Sequence, residues 1–254
     1  MSVLEARGAD PQQQAMRRAF LGSIQFPAGA RVLEVGCGTG VLTRVLARWS
    51  NVEAVVGVDP AASLIREAER LASSLANVTF KESDGRSLPF GDGEFDVVVF
   101  DSTLSHVPGP QRALSEACRV LRPAGWLAVF DGDYATTTVA LSDHDPLQAC
   151  VAAMMANSVN DRWLMRRLSG LVRQAGFDPI AFHSHGFSET AGGAYMLSVV
   201  DRGADILHHS GAIGQETAGA LKAEARRRVE AGTFFGHIAY ASLTARKPPR
   251  TSTV

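Results

Sequence analysis

Apolar residues follow two alternating periods through the first half of the chain. Short runs, several of them nearly continuous in Val and Phe, occur at 31–35, 53–59, 77–84, 95–101 and 125–131. They predict strands buried on both faces. Between them, apolar residues recur at the spacing of amphipathic helices, as in Val41, Leu42, Val45 and Leu46. Strand and helix alternate, which predicts a parallel, doubly wound α/β sheet with right-handed crossovers.

The pattern changes after residue 132. The polar segment 132–138 predicts a loop, and a helical pattern at 161–177 ends at Gly176. A strand is predicted at 178–187, helices at about 193–210 and 215–231, and a last apolar run at 234–247. Residues 248–254 carry no core-forming side chains, which predicts a disordered tail.

Composition narrows the class of protein. The 254 residues are 46% hydrophobic with a formal net charge of −1, so they can fill a core but create no field that attracts nucleic acid or an anionic membrane. No stretch is apolar enough to cross a bilayer, and the N-terminus does not resemble a signal peptide. Cys37, Cys118 and Cys150 fall in no paired spacing, so we expect no disulfide framework and no zinc or other metal site. A cytoplasmic protein without stable membrane insertion is predicted.

Three glycines follow the first predicted strand at every second position, Gly36, Gly38 and Gly40. Glycines there allow positive φ and let a ligand approach the backbone N–H groups. A dinucleotide site needs its third glycine one residue later, and Glu34 would repel a phosphate. The loop therefore favours a cationic ligand over a nicotinamide dinucleotide.

The segment VLEVGCGTG, residues 32–40, resembles the first motif of class I S-adenosylmethionine-dependent methyltransferases. The resemblance implies that the loop backs the methionine part of the cofactor, with Glu34 near the ammonium group. The loop residues are Gly36, Cys37, Gly38, Thr39 and Gly40. The following VVGVDPAASLIREAE is similar to the family's second strand, which implies that Asp59 accepts hydrogen bonds from both ribose hydroxyls, with Pro60 and Ala61 beside the adenine.

From Lys81 to Asp131 the chain resembles the subgroup of ubiquinone- and menaquinone-type methyltransferases. The resemblance implies that Asp84 holds the adenine amino group with Gly85 beside it, and that residues 101–104 face the transferable methyl. Of these, Asp101, Ser102 and Thr103 are taken as cofactor-binding. The resemblance covers about residues 14–131 and thins out beyond them.

The family also implies an architecture. A Rossmann-like, seven-stranded, mostly parallel sheet is expected, with strand order 3-2-1-4-5-7-6, strand 7 antiparallel, helices on both faces and a helical cap. We expect one domain at 1–247, with a cofactor-binding core at about 30–132. Cap and substrate elements are expected at about 10–28, 133–175 and 188–232.

The implied activity is transfer of a methyl group from S-adenosyl-L-methionine, with S-adenosyl-L-homocysteine as product. The acceptor is expected to be a small apolar or aromatic metabolite, methylated at O, N or C, and not nucleic acid. One alternative is a protein that binds the same cofactor to position a substrate for a reaction other than methylation, such as a cyclisation. A nicotinamide-dependent oxidoreductase is a further alternative, and both a monomer and a homodimer stay open.

Three side chains are candidates for a general base: His106, Asp133 and Tyr134. They follow the fourth and fifth predicted strands, whose carboxyl ends are where open α/β sheets bind ligands. Each also has a structural interpretation: His106 could pack under the cofactor or cap the next helix, and the other two could be turn residues.

Acceptor contacts are predicted for Phe20, His144, Tyr195 and Met196. In this hypothesis the segment 13–20 and the helix near 195 form a lid, whereas the alternative is an ordinary core face and, for His144, a helix start. His183 and His185 share one strand face and could be a metal pair or structural residues. The arginines at 166–167 and 226–228 are interpreted as solvated helix faces, and Cys37 as a space-filling side chain.

Overall fold

A computed structural model describes residues 3–190 and 194–249 of the chain. Most of the tail predicted to be disordered, residues 250–254, and three residues of the predicted cap, 191–193, lie outside the described residues.

Seven strands form one sheet in the order β3-β2-β1-β4-β5-β7-β6. The strands are β1 (Ala30–Val35), β2 (Val52–Asp59), β3 (Val78–Glu82), β4 (Phe95–Asp101), β5 (Leu121–Thr138), β6 (Asp178–Glu189) and β7 (Gly236–Arg246). β1 pairs in parallel with β2 and β4, β2 with β3, and β4 with β5. The sheet is mostly parallel with one antiparallel pair, so the predicted fold class and strand order are confirmed.

Nine α-helices lie in the described part of the chain. They are α1 (Val3–Ala9), α2 (Pro11–Gly22), α3 (Val41–Leu46), α4 (Ala62–Leu71), α5 (Pro110–Val120), α6 (Leu147–Ser158), α7 (Leu164–Gln174), α8 (Ala194–His209) and α9 (Gln215–Glu230). A single 3-10 turn, Leu104–His106, follows β4. None of the helices described is long and apolar enough to cross a membrane.

The contacts divide the chain into two compact units. The first contains Met1–Asp131, Leu164–His183 and Ala241–Val254, as far as these are described, and the second contains Gly132–Trp163 and Ser184–Tyr240. In the first unit, one buried cluster joins strand residues such as Leu33, Phe100 and Val129 to Leu114 of α5 and Leu168 of α7. This core fixes the carboxyl end of β4 and that of β1, after which the glycine loop begins.

The second unit is built around α6, α8 and α9. α8 approaches α6 so closely at Gly203 that a Cβ there would lie 1.9 Å from the carbonyl oxygen of Cys150. The carboxylate of Glu189 accepts hydrogen bonds from the backbone N–H groups of Tyr195 (3.2 Å) and Met196 (2.7 Å), which satisfies donors at the start of α8.

Arg228 differs from the prediction of a solvated helix face. Its guanidinium is buried and pairs with the carboxylate of Asp145 at 2.6 Å. Burial alone would raise the pKa of Asp145, but Arg228 and the N–H groups of Leu141 and Leu147 hold that pKa below its usual range. Arg226 and Arg227 are exposed, as predicted, and they pair with Asp201 and Glu224.

The predicted loop at 132–138 is wrong, because β5 continues through Thr138. Tyr134 is buried, Ala135 donates a backbone hydrogen bond to Arg162 (3.2 Å), and the Thr136 hydroxyl accepts one from Ala239 (2.8 Å). Tyrosine and consecutive threonines suit a half-buried strand. The turn interpretation of Asp133 and Tyr134 is therefore also wrong.

Candidate cofactor site and active site

The glycine loop passes directly over the end of β4. Gly36 has φ 76°, and a Cβ at this position would lie 2.3 Å from Cγ2 of Thr103. The Thr103 hydroxyl in turn donates to the carbonyl of Gly36 at 3.3 Å. Both the backbone conformation and the close approach therefore require glycine at position 36.

Asp59 fastens the loop to the end of β2. One carboxylate oxygen accepts from the N–H of Gly38 at 3.0 Å, and the other accepts from the N–H of Ala61 at 2.9 Å. Each oxygen of an ionised carboxylate can accept a second hydrogen bond. Asp59 can therefore bind two ribose hydroxyls while it holds the loop, as the resemblance implies.

The carboxyl group of Glu34 is almost completely buried, with 2% of the residue's surface exposed. Burial raises its pKa to about 8; the hydroxyl of Thr43, which donates to it, opposes this rise, and nearby Asp101 adds to it. A cation bound next to Glu34 would favour the ionised form. The ammonium group of the expected cofactor supplies such a cation.

Asp101, a second acidic residue at the site, already forms an ion pair with Arg17. The guanidinium Nε of Arg17, on α2, donates to Asp101 at 2.5 Å, and both side chains are buried. The hydroxyl of Ser102 also donates to Asp101, at 3.0 Å, and Ser102 itself has φ 54°. This strained turn places the end of β4 against α2.

A cavity of about 70 Å³ lies between the glycine loop and the N-terminal helices. Two guanidinium groups and two carboxyl groups line it, a set that matches the two opposite charges of a methionine zwitterion. The lining residues are Leu4, Arg7, Arg17, Glu34, Gly36, Cys37, Gly38, Thr39, Val41, Leu42, Asp101 and Ser102.

α1 contributes contacts to this site that the sequence analysis missed. The carboxylate of Glu5 accepts hydrogen bonds from the hydroxyl of Thr39 (2.6 Å) and from Arg44 (2.8 Å). Gly8 lies against Val41, with no room for a side chain between them. The mixed charges of the first ten residues gave no periodic signal that could have identified these contacts.

The predicted adenine-binding residues differ in exposure. Asp84 pairs with the guanidinium of Arg86 at 2.6 Å, and the hydrogen bonds from Arg86 hold the pKa of Asp84 below its usual range. Gly85 is buried under Val35, and Pro60 is exposed. Adenine binding would therefore use a carboxylate that Arg86 already orients.

Cys37 is buried beside Gly57, where a Cβ would lie 3.0 Å from its sulfur. Burial raises the pKa of the thiol well above its usual range, and Glu34 and Asp59 raise it further. The thiol is therefore protonated and unreactive, in agreement with a space-filling role.

His106 ends the 3-10 turn after β4 and is exposed. The turn is held by Asp131, a fully buried residue whose carboxylate accepts from the backbone N–H (3.0 Å) and the hydroxyl (2.9 Å) of Ser105. Asp133, half-buried, and Tyr134, buried, lie on the part of β5 that belongs to the second unit.

The residues predicted to contact the acceptor fall into two groups. Phe20 is buried against Phe130, with ring centroids 5.5 Å apart, and Met196 is fully buried. Tyr195 is half-buried and packs edge-on against Phe187 at 5.8 Å, whereas His144 is exposed just before α6. Phe20 and Met196 thus have core positions, and Tyr195 and His144 keep accessible surface.

A buried, glycine-lined pocket at the carboxyl ends of parallel strands defines a nucleotide-cofactor site of the Rossmann type. Residues 33–129, all in the first unit, match the family profile described as a methyltransferase domain. The ubiquinone/menaquinone biosynthesis C-methyltransferase UbiE of Stutzerimonas stutzeri is 30% identical over 174 residues, which cover 61% of this chain and 68% of that protein. A demethylmenaquinone methyltransferase of Tropheryma whipplei is 29% identical over 71% of this chain and 80% of its own length.

Other curated relatives are matched over only about half of their length, at 52% and 54%. Among solved structures, the [4+2]-cyclase SpnF has a TM-score of 0.62 at 24% identity, covering 96% of this chain and 85% of that one. This last likeness is one of fold alone.

The chain belongs to the class I S-adenosylmethionine-dependent methyltransferases, in the small-molecule group that includes the ubiquinone and menaquinone enzymes. The predicted family, enzyme class and cofactor are confirmed. No likeness favours the non-methylating alternative or an oxidoreductase.

Proposed function

We propose that this enzyme methylates a small apolar or aromatic acceptor, with an aromatic carbon beside an oxygen as the methylated atom. The observation that carries S-adenosylmethionine as the methyl donor is the charge pattern of the cavity at the glycine loop, with Glu34 and Asp101 opposite in sign to Arg7 and Arg17. It fits the amino and carboxylate groups of S-adenosylmethionine. The names of the relatives, a C-methyltransferase and a demethylmenaquinone methyltransferase, support a carbon acceptor of aromatic type.

When bound, the cofactor supplies an electrophilic methyl group on a positively charged sulfur and leaves as S-adenosylhomocysteine. Glu34 would bind the ammonium, Asp59 the ribose hydroxyls and Asp84 the adenine amino group, with the loop residues 36–40 against the methionine part. Ser102 and Thr103, at the end of β4, would lie toward the methyl group. Holding both reactants in line can lower the barrier by about 7–11 kcal/mol.

A carbon or oxygen acceptor must lose a proton when the new bond forms, so a base contributes about 10²–10⁴-fold. We propose His106, Asp133 and Tyr134 as the candidates. Asp131 supports the choice of His106, because its carboxylate fixes the backbone of the turn that ends at this histidine. Phe20, His144, Tyr195 and Met196 remain proposed acceptor contacts.

The chain is proposed to act as a single methyltransferase domain, with a core at about 30–132 and a cap from the remaining helices. A net charge of −1 supports a small acceptor rather than nucleic acid. A cytoplasmic site of action and a monomeric or homodimeric state complete the proposal.

Transfer of labelled methyl from S-adenosylmethionine tests the proposed acceptor class. The panel contains 1,4-naphthalenediol as a carbon acceptor, catechol as an oxygen acceptor and aniline as a nitrogen acceptor, with bulk tRNA and total protein as further substrates. We expect label on the diol carbon and none above background on the polymers. Efficient labelling of tRNA or protein at physiological salt would overturn the proposal.

The base is tested with His106→Asn, Asp133→Asn and Tyr134→Phe. The variant that removes the base should lower turnover by about two to four decades while the dissociation constant of S-adenosylmethionine stays the same. His209→Asn, an exposed histidine at the end of α8, is the matched control. Wild-type turnover in all three variants would mean that none of these residues is the base.

A further inference from the structure

Gln13 is a fully buried amide on α2, with 0% of its surface exposed. Among the residues that the structure describes, neither Oε1 nor Nε2 of this side chain has a hydrogen-bond partner. Buried amides are nearly always hydrogen-bonded, because leaving them unpaired destabilises the fold. We therefore expect an unpaired buried amide to bind a ligand or to serve another function.

A second unpaired group lies one helical turn further along α2. Arg17 is 5% exposed and donates through Nε to Asp101, but within the described chain its Nη1 has no partner. Residues four apart share a helix face, and both belong to the buried face of α2. The two orphaned groups therefore form one polar patch on an otherwise apolar surface that includes Met16, Phe20 and Leu21.

This patch adjoins the reacting end of the cofactor site. Arg17 lines the cavity together with Gly36, Asp101 and Ser102, which lie at the carboxyl ends of β1 and β4. Gln13 is not among the residues that line that cavity, but it lies one helical turn before Arg17 on the same buried face of α2. Arg7 also lines the cavity and can bind the cofactor carboxylate there.

We infer that Gln13, with Nη1 of Arg17, binds an oxygen substituent of the methyl acceptor. The ligand class is a phenol, enol or quinol whose oxygen is next to the methylated atom. The amide can donate a hydrogen bond to that oxygen or accept one from its hydroxyl, and the guanidinium stabilises the oxygen as it gains negative charge. This inference rests on the proposed function, because it names the acceptor group that the same site would recognise.

Gln13→Met tests the inference, since methionine has a similar length and no hydrogen-bonding amide. We expect the KM for 1,4-naphthalenediol to rise about tenfold, from one lost hydrogen bond, with an unchanged dissociation constant for S-adenosylmethionine. The Tm without ligands should rise by about 2–4 °C because an unpaired buried amide is gone. Gln14→Met, at the exposed neighbouring glutamine, is the matched control and should change neither quantity.

The outcomes separate this inference from the proposed function. An unchanged KM overturns it, and so does weaker cofactor binding, which would place Gln13 in the cofactor site. A Tm lowered by several degrees overturns it as well, because the amide would then have a partner within the protein. The Tm measurement needs no acceptor, so a lowered Tm overturns the inference even if the wild-type enzyme fails to methylate the diol, a failure that counts against the proposed acceptor alone.

Discussion

The two units of this enzyme are specified by different kinds of interaction. In the first, the glycine loop and Asp59 make hydrogen bonds between neighbouring strand ends, and a recognisable motif encodes them. In the second, the Asp145–Arg228 pair joins residues 83 positions apart, and Glu189 caps α8. The glycine loop and Asp59 could therefore be predicted from a local motif, whereas no local pattern predicts the Asp145–Arg228 pair.

Breaking the buried Asp145–Arg228 pair of the second unit should have the largest effect on the free energy of unfolding. Arg228→Ala leaves the carboxylate of Asp145 buried and unpaired, which should lower the free energy of unfolding by about 3–5 kcal/mol. Arg227→Ala, one residue earlier, removes an exposed pair with Glu224 and should leave the free energy of unfolding almost unchanged. Urea denaturation compares the two variants.

Hydrogen exchange locates the effect of the same substitution. In Arg228→Ala, peptides from α6, α8 and α9 should exchange faster, while those from β1 and β2 change less. Equal acceleration throughout the chain would contradict the contrast between the units.

The two acids predicted to bind adenosine provide the second comparison, within the first unit. Asp59 is buried and holds the loop, so Asp59→Ala should weaken S-adenosylmethionine binding by about 1.5–3 kcal/mol, roughly ten- to hundredfold. Asp84 is half-exposed and already paired with Arg86, so Asp84→Asn should cost less. Calorimetric titration measures both losses of affinity, and a larger loss for Asp84→Asn than for Asp59→Ala would contradict this ranking of the two acids.

Glu34 should give an effect on stability that depends on pH. Its folded pKa of about 8 lies above the ordinary 4.5, so between these values the folded state keeps a proton that the unfolded state has released. The free energy of unfolding should therefore fall as pH rises through this window, by at most about 1.4 kcal/mol per unit. Glu34→Gln removes this contribution.

The difference in Tm between Glu34→Gln and the wild type, followed from pH 5 to 8, isolates Glu34 from other titrating groups. The variant should gain stability relative to the wild type as pH rises, and it should bind S-adenosylmethionine less tightly at pH 8. A Tm difference that stays constant across this range would mean that Glu34 titrates normally.

Much of the first unit was predictable because its signals are short-range. The alternation of buried strands and amphipathic helices predicted the α/β sheet. Gly36, Gly38 and Gly40 after β1 predicted the ligand-binding loop. The strand order 3-2-1-4-5-7-6 came from the family resemblance, since periodicity alone does not order strands.

The rest depends on distant partners. Arg17 joins the site only because it meets Asp101, 84 residues away. Gly132–Thr138 resembled a turn, yet it continues β5, which lies between β4 and β7 in the sheet. In sequence, Arg228 cannot be told apart from its exposed neighbours Arg226 and Arg227, but in the structure it is buried and pairs with Asp145. In each case the deciding contact is absent from the local sequence.

The most direct test of the account is calorimetric titration of S-adenosylmethionine and S-adenosylhomocysteine into the wild type, Gly36→Ala and Gly170→Ala. A Cβ at position 36 would meet Thr103 at 2.3 Å, whereas at position 170 nothing lies within 4 Å. We predict that the wild type and Gly170→Ala bind both ligands and that Gly36→Ala loses most of its affinity. No binding by the wild type, or equal binding by Gly36→Ala, would contradict the placement of the cofactor on this loop.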